Sequence, residues 1–166
     1  YEEIATDPSY FSQIVLMTSS MMGNYGVDRS VWESNKMWIE GFIALQIQSS
    51  KRESSWLEQL SKNGIPILSD VDTRAITLRL RAGGTPWGAL VSAADEAEAK
   101  QKAKVLITKA KDKPKDWVYL ASRKQSTVIQ GEKQNGVRIA ILDFGAKENI
   151  IRELKQRSEL ICVFNS

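Results

Sequence analysis

The C-terminal part of the sequence carries the pattern that most constrains the fold. Residues 137–145 read VRIAILDFG and residues 160–164 read LICVF, two apolar runs separated by the helix-like segment KENIIRELKQR at 147–157. A near-continuous apolar strand is typical of a parallel sheet buried on both faces. The order strand, helix, strand therefore predicts the opening unit of an α/β sheet. Because one such unit cannot bury both faces of a sheet, we expect the chain to be cut at its C-terminus. Its start at Tyr1, without a methionine, predicts a missing N-terminus.

The preceding residues predict a domain of mixed structure. Apolar, β-favouring runs predict strands at 11–17, 37–47, 65–68 and 86–92, and two short β-like pieces within 112–136. Helices are expected near 54–63, 72–82 and 94–110, with Ser54 and either Asp70 or Asp72 as N-caps. We therefore predict a β-rich first domain over residues 1–130, a linker over 131–136, and the beginning of a second domain over 137–166.

The absence of histidine limits the chemistry that this sequence can perform. Without histidine, a Ser-His-Asp or Cys-His catalytic group within the chain is excluded. The single cysteine, Cys162, forms no internal disulfide and belongs to no zinc-type cluster. It lies in an apolar run without a base beside it, so we interpret it as a buried, inert thiol.

Charge and hydropathy indicate a globular protein in a reducing compartment. The 23 basic and 20 acidic residues are intermixed, and the lysines between Lys100 and Lys115 are interpreted as a solvated helix face, so we expect no nucleic-acid partner. No apolar run approaches the roughly 20 residues that span a bilayer. Since no signal peptide begins the sequence, the expected location is the cytoplasm, without membrane association.

The stretch Thr6-Asp7-Pro8-Ser9 has turn chemistry directly before a strand-forming run. Proline fixes φ, and the short polar side chains bond nearby backbone groups. One interpretation is a surface turn that only starts a strand. The other is a rigid loop on which Ser9 presents its hydroxyl and backbone to a ligand. The residues of the turn alone leave both interpretations open.

Two further motifs are explained without a functional site. The tripeptide Asp143-Phe144-Gly145 matches the metal-binding motif of protein kinases, but the other kinase motifs are missing, so we interpret it as a strand end turning into a helix. Asp70, Asp72 and Arg74 could pair with a ligand, although helix capping explains both aspartates.

Five stretches in order resemble the small, glutamine-hydrolysing subunit of carbamoyl-phosphate synthetase. They cover nearly the whole chain with family-like spacing, although residues 93–136 contribute little. The stretches are YEEIATDPSY, QIV, GNYG, SWLEQLSKNGIPILSDVDTRAITLRLRAGG and ILDFGAKENIIREL. The sequence departs from the family at Ser19–Met22, where a Tyr-Pro-His segment is usual, and around Lys36–Gln46.

The resemblance implies a fold and indicates which of the family's functional residues fall within this chain. It implies an α/β fold in which an N-terminal domain of the swivelling β/β/α type, lacking its leading strands, precedes the first strand-helix-strand of a class I glutamine amidotransferase sheet. The family's catalytic Cys, His and Glu lie further downstream, so no catalytic residue is expected here, and Cys162 does not match the nucleophile. In the family the serine of the TDPS segment contributes to glutamine binding, and that residue is Ser9.

The activity implied by the resemblance is hydrolysis of glutamine through a thioester. The ammonia would pass to a large synthetase subunit that builds carbamoyl phosphate, for arginine and pyrimidine synthesis, with ATP and Mg²⁺ on that partner. No cofactor or metal is expected in this chain. The alternative from another class is a non-catalytic binding or assembly domain that docks the large subunit. Trp32, Trp38 and Trp87 are then candidates for a subunit interface, unless they are core residues.

Overall fold

Within the described residues, the strands form two three-stranded sheets. The structure is a computed structural model that describes residues 1–50, 55–112 and 115–166. One sheet is parallel, with the order β1 (Ile14–Leu16), β2 (Gly41–Ile43), β3 (Ile67–Leu68). The other has the order β4-β6-β5, formed by Thr127–Gln130, Ser158–Asn165 and Val137–Asp143 respectively. The prediction of a mixed α/β fold is confirmed.

The helices of the described residues begin and end mostly at residues with local sequence signals. The α-helices are α1 (Glu2–Thr6), α2 (Trp56–Lys62), α3 (Thr73–Gly83), α4 (Glu96–Lys111), α5 (Trp117–Ala121) and α6 (Glu148–Lys155). Asp72 caps α3 by accepting a hydrogen bond from the backbone N–H of Ala75 at 2.9 Å, as predicted. Ser54 lies outside the described residues, and Ser55 caps α2 by accepting from the N–H of Glu58.

Contacts divide the chain into two compact units. The first contains Tyr1, Ser12–Asp28 and the described part of Ile39–Pro114. The second contains Glu2–Phe11, Arg29–Trp38 and Lys115–Ser166. A grouping by contacts is not a domain boundary, so the predicted division into 1–130, 131–136 and 137–166 stays a prediction.

The first unit is organised around its parallel sheet and a buried tryptophan. Phe42 of β2 and Trp56 of α2 are both fully buried, and their rings meet edge to face at 5.7 Å between centroids. Tyr1 packs on the same indole at 4.9 Å. Because aromatic side chains bury more apolar area than other residues, they dominate the stabilisation of a small core. This cluster therefore anchors α2 against the sheet.

The second unit contains the predicted strand-helix-strand. Strands β5 and β6 run parallel, and α6 connects them and packs on one face. Buried apolar residues of α6 and β6 form the core there, namely Ile151, Ile161 and Val163, with Ile129, Ile139, Ile141 and Leu154 packed around them. Strand β4 pairs antiparallel with β6, so residues 127–130 share this sheet.

Three local predictions are wrong. Residues 86–92 form no strand; instead Leu90 packs close to Gly41, where an added Cβ would lie 2.7 Å from a Leu90 methyl carbon. One of the two β-like pieces within 112–136 is the helix α5, because Asp116 caps it by accepting from the N–H of Tyr119 at 3.0 Å. The long strand predicted at 37–47 is limited to Gly41–Ile43. Helix α1, before the TDPS turn, has no counterpart among the sequence predictions.

Candidate functional site

The Thr6–Ser9 segment is a rigid turn that leaves Ser9 exposed. The Asp7 carboxylate accepts the backbone N–H of Ser9 at 2.8 Å, and a short 3₁₀ helix follows over Pro8–Tyr10. The carbonyl oxygen of Asp7 accepts the N–H of Tyr10 at 3.0 Å. Asp7 and Pro8 are buried, whereas Ser9 is exposed. The local chemistry predicted for this turn is therefore present, and it holds Ser9 at a fixed position on the surface of the second unit.

An aromatic contact secures the end of the turn. The ring of Phe11 meets Trp38 edge to face at 5.1 Å and Trp117 at 5.4 Å between centroids. Such edge-to-face pairs add stabilisation beyond the area that they bury. Since Phe11 follows the 3₁₀ helix directly, its anchoring restricts the motion of the Ser9 loop.

The turn packs against the loop that connects β5 to α6. Gly145 in this loop has φ of +100°, and a Cβ added to it would lie 3.1 Å from the Cβ of Pro8 and 3.2 Å from that of Ala121. A side chain at residue 145 would therefore crowd the turn. In α/β sheets, ligands bind in the crevice at the carboxyl ends of parallel strands. Ser9 thus lies on a turn that adjoins the end of β5, where ligand sites are commonly built.

An ion pair links the turn to the same loop. The Nζ atom of Lys147 lies 2.6 Å from the Oδ2 atom of Asp7, which is 4% exposed, whereas the lysine side chain is 43% exposed. Burial raises the pKa of Asp7, but hydrogen bonds from Lys147 and Ser9 outweigh it, and the net pKa is below the ordinary value. The hydrogen bond to Asp7 raises the pKa of Lys147. Both groups are therefore charged near neutral pH.

Asp143 fixes the shape of the loop from the end of β5. Its Oδ1 atom accepts the N–H groups of Gly145 at 2.9 Å and Ala146 at 2.7 Å. Its Oδ2 atom accepts the backbone N–H and the Nε–H of Arg123, at 2.9 and 3.1 Å. Burial raises the pKa of Asp143, yet these hydrogen bonds together lower it below the ordinary value. The carboxylate is structural, as its interpretation as a strand end implies.

The site has the chemistry of a binding surface for a small polar ligand. The Ser9 hydroxyl and the half-exposed Lys147 ammonium both hydrogen-bond Asp7, and groups of these two kinds can donate to carboxylate or amide oxygens. The sequence predicted Ser9, while Lys147 was missed as a site residue because nothing near it in the sequence indicates its pairing with Asp7. In the described ranges, no group of three or more His, Cys, Asp or Glu side chains is arranged to hold a metal ion.

The other sequence candidates lie outside this arrangement. Cys162 is partly buried in β6, opposite Ala140 and Val128 on the neighbouring strands. Trp32 and Trp38 are 6% and 7% exposed, so they are core residues of the second unit, whereas Trp87 is 53% exposed. Of the helices in the described ranges, none is long and apolar enough to cross a membrane.

Comparison with known proteins identifies related sequences. Residues 1–90 match the family described as the carbamoyl-phosphate synthase small chain, CPSase domain. The small chain of Symbiobacterium thermophilum is 38% identical over 165 residues, covering 95% of this chain and 44% of the relative. The Bacillus caldolyticus small chain is 37% identical, covering 95% and 43%, and that of Clostridium acetobutylicum is 36% identical, covering 99% and 46%. The chain thus spans less than half the length of these relatives.

Proposed function

Because the chain belongs to the carbamoyl-phosphate synthase small-chain family, as its motifs predicted, we propose that it forms part of a glutamine-hydrolysing subunit. This subunit supplies ammonia for carbamoyl phosphate synthesis. Ser9 is the glutamine-binding residue of this chain. The proposal rests on the family membership together with one structural observation. That observation is the rigid placement of an exposed serine beside the loop at the end of β5.

In this proposal the residues of the chain bind and orient the substrate. The Ser9 hydroxyl, which bonds the Asp7 carboxylate in this structure, exchanges that bond for one to an oxygen of glutamine. The Lys147 ammonium attracts the substrate's α-carboxylate. The Asp7 hydrogen bond to the Ser9 N–H keeps the hydroxyl in one place, so little entropy is lost on binding. Nucleophilic attack and thioester hydrolysis belong to a Cys, His and Glu that are not among these 166 residues.

The proposed reaction requires a partner. A large synthetase subunit, carrying ATP and Mg²⁺, consumes the ammonia in the cytoplasm for arginine and pyrimidine synthesis. The intermixed surface charges of this chain give no reason to add nucleic acid to its partners.

The test is Ser9→Ala in a full-length small chain that contains this sequence, assembled with its large partner. A hydroxyl bonding a charged ligand group contributes about 1.5–3 kcal/mol. Glutamine-dependent synthesis should fall roughly ten- to a hundredfold in kcat/KM. Synthesis from added ammonia should be unchanged, because ammonia bypasses the glutamine site.

The matched control is Ser61→Ala, since Ser61 is an exposed serine in α2 of the first unit. It should leave both activities unchanged. Equal losses with glutamine and ammonia in Ser9→Ala would indicate a folding defect, and no loss with either would leave the TDPS segment as only a turn. Either result would contradict the assignment of Ser9.

The second candidate is a non-catalytic domain that docks a large subunit. It is favoured by the exposed indole of Trp87, since exposed tryptophans are enriched at interfaces. Loss of large-subunit binding in Trp87→Asp, with glutamine use by Ser9→Ala unchanged, would favour this candidate over glutamine binding.

A further inference from the structure

The start of helix α6 is held by a residue far away in the sequence. Within the described residues, its N-cap Lys147 makes no side-chain hydrogen bond to the helix. Instead the N–H of Glu148 donates to the backbone carbonyl oxygen of Glu33 at 2.9 Å, and the N–H of Asn149 donates to its carboxylate at 2.9 Å. The first N–H groups of a helix favour a negative charge. Glu33, which is 6% exposed, therefore supplies the cap that the local sequence lacks.

Glu33 is positioned in turn by the residue that precedes Asp7. The fully buried hydroxyl of Thr6 accepts the backbone N–H of Glu33 at 2.9 Å and donates to the carbonyl oxygen of Glu2 at 2.8 Å. The Ser34 hydroxyl donates to the backbone carbonyl oxygen of Thr6 at 2.6 Å. The Thr6 hydroxyl thus serves as donor and acceptor at once. An apolar side chain of the same shape cannot replace it.

These bonds join the same two segments that the Asp7–Lys147 ion pair joins. Thr6 directly precedes Asp7, and Lys147 directly precedes Glu148, so the buried network lies one residue away from the ion pair on each segment. Arg152 adds a further link, because its guanidinium donates to the backbone carbonyl oxygen of Trp32 at 3.1 Å. A half-exposed lysine alone would hold the loop only weakly, since solvent screens its charge. The buried network therefore fixes the distance between the two segments, which the ion pair alone does not fix.

We propose that Thr6 and Glu33 are positioning residues that set the distance between the Ser9 turn and the Lys147 loop. This inference rests on the proposed glutamine-binding function, and it extends that function to two residues that do not contact the substrate. A network that fixes spacing affects the affinity for glutamine, and it leaves ammonia-dependent synthesis unchanged. A merely stabilising role would lower both activities or neither.

The first experiment measures the geometry in this chain itself. Thr6→Val removes the hydroxyl and keeps the shape of the side chain, whereas Thr6→Ser restores the hydroxyl. In Thr6→Val we expect faster amide hydrogen exchange at Glu148 and Asn149 and a lower NMR-detected pKa of the Lys147 ammonium. Thr6→Ser should return both towards their original values. Unchanged exchange and an unchanged lysine pKa in Thr6→Val would overturn the inference whatever the protein's function is.

The second experiment measures kinetics in the full-length small chain with its large partner. Thr6→Val should raise the KM for glutamine roughly tenfold, the loss of about one hydrogen bond, with ammonia-dependent kcat unchanged. The matched control is Thr77→Val, because the Thr77 hydroxyl donates to the carbonyl oxygen of Thr73 in its own helix, α3. If Thr6→Val fails to fold, Glu33→Gln, which removes the capping charge, should raise the same KM roughly two- to fivefold.

The outcomes separate this inference from the proposed function. An increase in KM for Ser9→Ala but not for Thr6→Val or Glu33→Gln would overturn the positioning role and leave the glutamine site intact. No change in glutamine KM for any of the three variants, with altered amide exchange in Thr6→Val, would overturn the proposed function. Equal losses with glutamine and ammonia in Thr6→Val would reduce Thr6 to a stabilising residue and overturn the inference.

Discussion

Substitution of Gly145 by alanine tests whether the turn and the β5–α6 loop are packed as closely as the structure indicates. Two costs add at this residue. Its φ of +100° is unfavourable for any residue with a Cβ, which costs of order 1–2 kcal/mol. The new Cβ would also lie 3.1 Å from Pro8 and 3.2 Å from Ala121, so these neighbours must move, for about 1–2 kcal/mol more. The expected loss in the free energy of unfolding is therefore about 2–4 kcal/mol.

Gly64→Ala is the matched control for this prediction. Gly64 also has a positive φ, of +67°, but nothing lies within 4 Å of an added Cβ. It should cost only about 1–2 kcal/mol, the conformational part alone. Urea unfolding followed by circular dichroism gives the free energy for both variants. Equal losses in Gly145→Ala and Gly64→Ala would refute the close contact between the turn and the loop.

The remaining predictions concern charge, activity and the tryptophans. The folded-state pKa values of Asp7 and Asp143 are depressed, so their contribution to stability is complete above about pH 4 and is lost as the pH falls through the folded values. When the free energy of unfolding is measured against pH, it should fall less steeply with acid in Asp143→Asn than in the unsubstituted protein. Identical slopes for the two proteins would contradict the pKa directions. The 166-residue chain alone should release no ammonia from glutamine, and release above a buffer blank would overturn the assignment of catalysis to residues elsewhere. Trp32→Asp should unfold the second unit, because the indole is buried and donates to Glu2 at 2.7 Å. Trp87→Asp, at an exposed indole, should lower the free energy of unfolding by less than about 1 kcal/mol. Similar losses of circular dichroism signal in the two variants would contradict the difference in burial.

The elements that local chemistry specifies could be predicted from the sequence. Helix α3 begins at the cap Asp72 and ends at Gly83 with Gly84 at positive φ, all of which can be inferred from neighbouring residues. The strand-helix-strand over 137–164 follows from its two apolar runs. The predicted burial on both faces is wrong for β5, which is exposed or half-buried along most of its length.

The elements that depend on distant residues could not be predicted. The β-favouring residues of 86–92 have no strand beside them in the described sheets, and their Leu90 covers Gly41 instead. The residues Trp117–Ala121 also favour strands, but the Asp116 cap decides for a helix. A strand requires a partner that local propensity does not reveal.

The same distinction applies to the candidate site. The bond from the Asp7 carboxylate to the Ser9 N–H spans two residues and follows from turn chemistry, whereas the role of Ser9 was inferred from family resemblance. The pairing of Asp7 with Lys147 and the capping of Asn149 by Glu33 join residues more than 100 positions apart. No periodicity or spacing in the sequence signals such contacts.

The central claim, that Ser9 binds glutamine, is tested most directly by locating the substrate. The measurement is a crystal structure of the full-length small chain with its partner, with the catalytic cysteine replaced by alanine so that bound glutamine is not hydrolysed. The account predicts the Ser9 Oγ atom within about 2.5–3.2 Å of a glutamine oxygen or nitrogen. Bound glutamine with Ser9 beyond about 4 Å from every polar atom of the substrate, and without a bridging water, would contradict it.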